Sequence, residues 1–81
     1  MEQIHYGTLV RAFPERNFFF IRDDDSGQDI FTHVSGFAGK VALPKGSRVY
    51  FRLALNSRRA NEPMAVDVRP IPVPVVSGGL R

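Results

Sequence analysis

Apolar and polar residues alternate along this chain in short stretches, and nowhere do apolar residues recur with the spacing of an amphipathic helix. Residues two apart on a strand share a face. Five strands are therefore predicted: Tyr6 to Phe13, Asn17 to Arg22, Asp29 to Val34, Arg48 to Leu55 and Met64 to Val68. In the fourth, Val49, Phe51, Leu53 and Leu55 are expected to face inward, with Arg48, Tyr50 and Arg52 outward. Ser35 to Lys45 contains Gly36, Gly39 and Pro44 and reads as a loop with at most one helical turn. Five short strands joined by glycine-containing and polar turns predict an all-β fold, a small closed barrel without exposed strand edges.

The second and third strands read as one hairpin across the acidic turn Asp23-Asp24-Asp25-Ser26-Gly27. Phe18, Phe20 and Arg22 then point one way, and Phe19 and Ile21 the other. In the partner strand Phe31 and His33 share a face, leaving Ile30 and Thr32 opposite. A slip of one residue in register would reverse the arrangement. Rings gathered on one face beside cations suit flat ligands, and nucleobases are the flat ligands that cations accompany.

Composition narrows the choice. Eighty-one residues make one domain, and a chain of this size buries about 60% of its unfolded surface, too little for a deep catalytic cleft. There is no cysteine, so neither a disulfide framework nor a thiolate metal site is expected. The start, Met1-Glu2-Gln3-Ile4-His5, lacks a secretory pattern, and no stretch approaches membrane-spanning length, so a cytoplasmic protein with no membrane partner is expected. The net charge of +3 and pI near 10.0 favour polyanionic partners. Nine of the eleven cations are arginine, which stacks on bases and forks onto phosphate better than lysine.

The ordered set of motifs resembles the cold-shock domain family, whose fold is a five-stranded antiparallel oligonucleotide/oligosaccharide-binding (OB) barrel that holds single-stranded RNA and DNA. Gly7-Thr8-Leu9-Val10-Arg11-Ala12-Phe13 is similar to its first strand, usually Gly-Thr-Val-Lys-Trp-Phe. Arg16-Asn17-Phe18-Phe19-Phe20-Ile21 resembles its first ribonucleoprotein motif, Lys-Gly-Phe-Gly-Phe-Ile. Asp29-Ile30-Phe31-Thr32-His33-Val34-Ser35 resembles its second, Asp-Val-Phe-Val-His-Phe-Ser. Leu43-Pro44-Lys45-Gly46-Ser47-Arg48-Val49-Tyr50-Phe51 fits the run into the fourth strand, and Pro63 to Val68 fits the fifth. The likeness spans roughly residues 5 to 69. A barrel over 1–69 followed by a proline-rich tail over 70–81 is the expected organisation.

Carried over position by position, the resemblance implies that Phe18, Phe20, Phe31 and His33 stack on or hydrogen-bond bases. Arg11 and Arg16 take the family's lysine positions on the backbone, and Phe13 is half core and half platform. Arg58 and Arg59, in the loop before the last strand, lie near a family arginine; a solvated turn is the simpler explanation for them. Several positions depart from the pattern. Ala12 stands where the family has a stacking tryptophan, which predicts roughly ten- to a hundredfold weaker binding of that base. The turn Pro14-Glu15 is shorter by one residue, and the loop from Ala38 to Ala42 is also short. Asn17 and Phe19 replace glycines, and Val34 replaces a phenylalanine. Phe19 should point into the barrel, where a benzyl group needs volume that glycine leaves empty.

The expected function is single-strand nucleic-acid binding by aromatic stacking, as an RNA chaperone or regulator. The alternative is a protein-interaction or assembly module that kept the barrel and weakened the nucleic-acid surface. No cofactor and no catalytic residue is expected, because His5 and His33 are the only histidines and no nucleophile elbow or glycine-rich phosphate loop occurs. No metal is expected either. In a calcium loop counted from Asp23, Gln28 would fill the glycine position and Val34 the bidentate glutamate. The tail, Arg69-Pro70-Ile71-Pro72-Val73-Pro74-Val75-Val76, suits an extended segment. Its apolar residues raise the expectation of packing on the barrel or forming a homodimer.

Overall fold

The computed structural model describes residues 3–56 and 59–72. Strands β1 (His5–Phe13), β2 (Phe18–Asp23), β3 (Asp29–His33), β4 (Arg48–Asn56) and β5 (Arg59–Pro70) close into a barrel in the order β1-β2-β3-β5-β4. Pairing is antiparallel except at the closure, where β3 meets β5 in parallel at Phe31↔Met64. A parallel bridge, Phe37↔Val68, and the buried Thr32 hydroxyl, which donates to the Ala65 carbonyl at 2.9 Å, complete that seam. The expected all-β barrel is therefore present, with mixed pairing in place of a wholly antiparallel sheet.

The interior holds Leu9, Phe19, Ile21, Ile30, Val49, Phe51, Ala65 and Val68, with Phe37 contributed by the connection between β3 and β4. That connection contains two short 3-10 turns, Val34–Gly36 and Ala38–Lys40. Gly36 lies so close to Thr32 that an added Cβ would come within 2.8 Å of its hydroxyl.

The hairpin has the predicted register. Phe18↔His33, Phe20↔Phe31 and Arg22↔Asp29 are cross-strand pairs on the outer face, while Phe19↔Thr32 and Ile21↔Ile30 lie within. Asn17 adopts a left-handed φ of 63°, which asparagine tolerates better than most residues. Its carbonyl accepts from the Val34 N–H at 2.9 Å.

Two irregularities re-aim side chains in a way that strict alternation does not anticipate. In β1 the register moves from Leu9↔Ile21 to Arg11↔Phe20, so Val10 is an extra residue. Such a bulge turns the following residues over: Leu9 is buried, yet Arg11 and Phe13 share the outer face with Phe20 and Phe18. In β5 the register moves from Tyr50↔Arg69 to Arg52↔Val66, placing the extra residue at Asp67, whose φ is 54°.

Leu53 and Leu55 correct the reading of β4. They keep the inward parity, since Leu53 stands opposite buried Ala65, but they are 38% and 72% exposed. The β4 and β5 ribbon runs past the rim, where β3 no longer closes over it. At the other end, β5 pairs through Pro70, and the Ile71 N–H donates to the Arg48 carbonyl at 2.9 Å. The ladder thus passes the boundary expected at residue 69. The expectations for residues 73–81 lie outside the described residues.

Phe19 finds its volume among residues that are small here. It is paired across the sheet with Ala12, and its ring meets Phe37 edge-on at 5.0 Å. Ala12 and Val34, both smaller than the aromatic residues expected from the resemblance, pack against the same core. These three departures make one packing solution.

Candidate nucleic-acid interface

The β1 bulge and the β2 and β3 hairpin together place four phenylalanines on one outer wall. Phe13 lies 5.0 Å from Phe18, Phe18 lies 5.9 Å from both Phe20 and Phe31, and Phe20 lies 6.1 Å from Phe31, all centroid to centroid. Each ring is half-buried: its neighbours hold it and one side meets solvent. Edge-on and tilted contacts of this kind suit the ring quadrupole and fix ring orientation before any ligand arrives. Ala12, opposite core Phe19, turns away from this wall, and Phe13 is the ring that β1 contributes to it.

Two cations border the rings. The Arg16 guanidinium stands 5.5 Å from the Phe18 centroid and that of Arg11 stands 6.0 Å from the Phe20 centroid, within cation–π range. His33 is exposed at the end of β3. Its Nδ1 accepts from the Ser35 N–H at 3.1 Å and lies 2.9 Å from the Ser35 hydroxyl. Because a backbone N–H can only donate, Nδ1 acts as acceptor, which leaves Nε2 directed away as the group available to a ligand.

Seven of the sequence-predicted residues, Arg11, Phe13, Arg16, Phe18, Phe20, Phe31 and His33, therefore lie on one contiguous wall. Arg59 does not sit in a loop: its backbone pairs with Asn56 as the first residue of β5. Its side chain, and Arg58 entirely, lie outside the described residues.

One polar pair adjoins the rings on this wall. Arg22 continues the face of Phe18 and Phe20, and its Nε and Nη2 donate to the two Asp29 oxygens at 2.8 and 3.4 Å. These hydrogen bonds hold the Asp29 carboxyl below its usual range and raise Arg22 above its own. Face parity pointed to Arg22; its partner depends on the hairpin register. A cleft of about 330 Å³ opens beside Phe20 and Phe31, with Gln28, Asp29 and Pro63 on its walls.

The acidic turn has a structural task. The Asp23 carboxylate is buried, accepts from the Ser26 hydroxyl at 3.0 Å and the Asp25 N–H at 3.4 Å, and lies 3.7 Å from His5 Nδ1. Potential metal-ligating atoms of His5, Asp23 and Asp25 approach within 4.8 Å of one another, but the Asp23 oxygens already hold the turn. Asp24 forks onto Arg48 at 2.7 and 3.0 Å, and the Arg48 hydrogen bonds lower its carboxyl pKa.

Comparison with known proteins agrees with this geometry. The 'Cold-shock' DNA-binding domain family matches residues 6–71. A solved structure, drosophila Unr CSD456, superposes with a TM-score of 0.72 at 18% identity, covering 93% of this chain. This chain spans 29% of that one, so the likeness is one of fold. No curated protein sequence matches the chain.

Proposed function

The chain belongs to the 'Cold-shock' DNA-binding domain family and is a nucleic-acid-binding domain, and from that premise we propose that it holds single-stranded RNA or DNA by stacking bases on Phe13, Phe18, Phe20 and Phe31. The observation that carries this reading is the half-buried four-ring wall with Arg11 and Arg16 against its edges. Every base has a π face, so such a wall binds with little sequence preference, while the arginines track phosphates. His33 Nε2 supplies a hydrogen bond at the end of the wall. The role is that of a non-enzymatic RNA chaperone or regulator, which needs a module that grips and releases unpaired strands.

Fluorescence titration with a short oligouridine and oligothymidine at two salt concentrations tests the reading. Binding should weaken with salt at a log–log slope of about −0.7 for each phosphate neutralised. Absence of binding at low salt would remove the proposal and favour an assembly module.

A further inference from the structure

We propose that Arg22, locked to Asp29, is a guanine-reading step at the end of the aromatic wall. This rests on the single-strand reading above and adds a base preference to it. Three cross-strand pairs succeed one another on the outer face: Phe18 with His33, Phe20 with Phe31, and Arg22 with Asp29. Alternate residues on a strand lie about 6.6–6.8 Å apart, so a strand lying along the wall meets Arg22 one step after Phe20.

The donor geometry specifies the base. Nε and one Nη2 hydrogen are committed to Asp29. A guanidinium carries five N–H donors, and the remaining Nη1 and Nη2 hydrogens form its end-on pair. The Arg22 side chain is 56% exposed, so this pair faces solvent. An end-on arginine fork matches the O6 and N7 acceptors of guanine, a pairing that neither uracil nor cytosine reproduces.

Asp29 is the positioning residue. It fixes the guanidinium before binding, reducing the side-chain entropy lost on association. Arg22 and Arg11 both act on the Asp29 charge, which limits its repulsion of the phosphates of a bound strand.

The test places a single guanosine at each position of a hexauridine in turn and measures affinity for the full chain. One position should bind about five- to tenfold more tightly than hexauridine itself, at the lower end of what a bidentate pair confers because the site is exposed. The gain should vanish with 7-deazaguanosine, which lacks the N7 acceptor. It should vanish also in Arg22→Lys, which keeps the charge but has no fork, the gain for each variant being read against its own hexauridine affinity. Hexauridine binding with no gain at any guanosine position would overturn this proposal alone, as would a gain that survives both 7-deazaguanosine and Arg22→Lys. Failure of every oligomer to bind at low salt would overturn it together with the single-strand reading.

Discussion

Phe19 and Phe20 are adjacent and chemically identical, yet the pleat gives them opposite tasks. Phe20 is half-buried on the outer wall and touches Phe13, Phe18 and Phe31, whereas Phe19 is 2% exposed in the core. Phe20→Ala should therefore weaken oligouridine binding by about 1–3 kcal/mol, some five- to 150-fold, with only a small change in Tm. Phe31→Ala should behave alike. Phe19→Ala should instead cost about 3–5 kcal/mol of stability, read as a fall in Tm or in denaturant midpoint. Equal binding losses for Phe19 and Phe20 variants measured well below their melting temperatures would contradict the division. Parity put these two residues on opposite faces, and the resemblance to the cold-shock domain family indicated which face is outside.

The elements were legible where alternation is strict and obscure where it breaks. Phe18 to Arg22 and Asp29 to His33 could be read directly. Val10 could not, because a bulge needs knowledge of the partner strand: simple alternation puts Leu9, Arg11 and Phe13 on one face, and the structure divides them. Phe37 was also hidden, since a lone aromatic in a glycine-containing loop carries no periodic signal. The exposed Leu53 and Leu55 obey parity, but the height of the barrel wall is set by β3, a distant segment. Beyond their register, the strands are tied at the surface by Arg22 to Asp29 and Arg48 to Asp24. Both carboxyls titrate below the ordinary value of 3.8. A depressed folded-state pKa contributes stability above the unfolded value, and that contribution is lost as pH falls through the folded one. Tm should decline as pH drops from about 5 to 2, and the Asp24→Asn, Asp29→Asn double variant should show a shallower decline.

For the molecule as a whole, Ala12, Phe19 and Val34 act as a set. Ala12→Trp, which restores the residue usual in the family, should destabilise this barrel, because the indole would compete with Phe19 for space across the β1 and β2 pair. Combined with Phe19→Gly, the same change should cost less than the sum of the two single changes. A double-mutant cycle on Tm or denaturant midpoint reads that coupling, and strict additivity would refute it.

The closure of the barrel is asymmetric. β1 and β2 share a long ladder, whereas among the described residues β3 and β5 are joined by one paired residue and the Thr32 hydroxyl, with one further bridge from Phe37 in the connection after β3. Protein breathing starts where the fewest bonds must be broken, so hydrogen exchange of the Met64 and Val66 amides should outpace that of Ile21. A strand lying over Phe31 and the adjoining cleft straddles this slit like a clasp. Occupancy should then slow exchange on both lips and raise the melting point more than contact area alone would suggest, so the cargo itself would act as the missing stitch of its container.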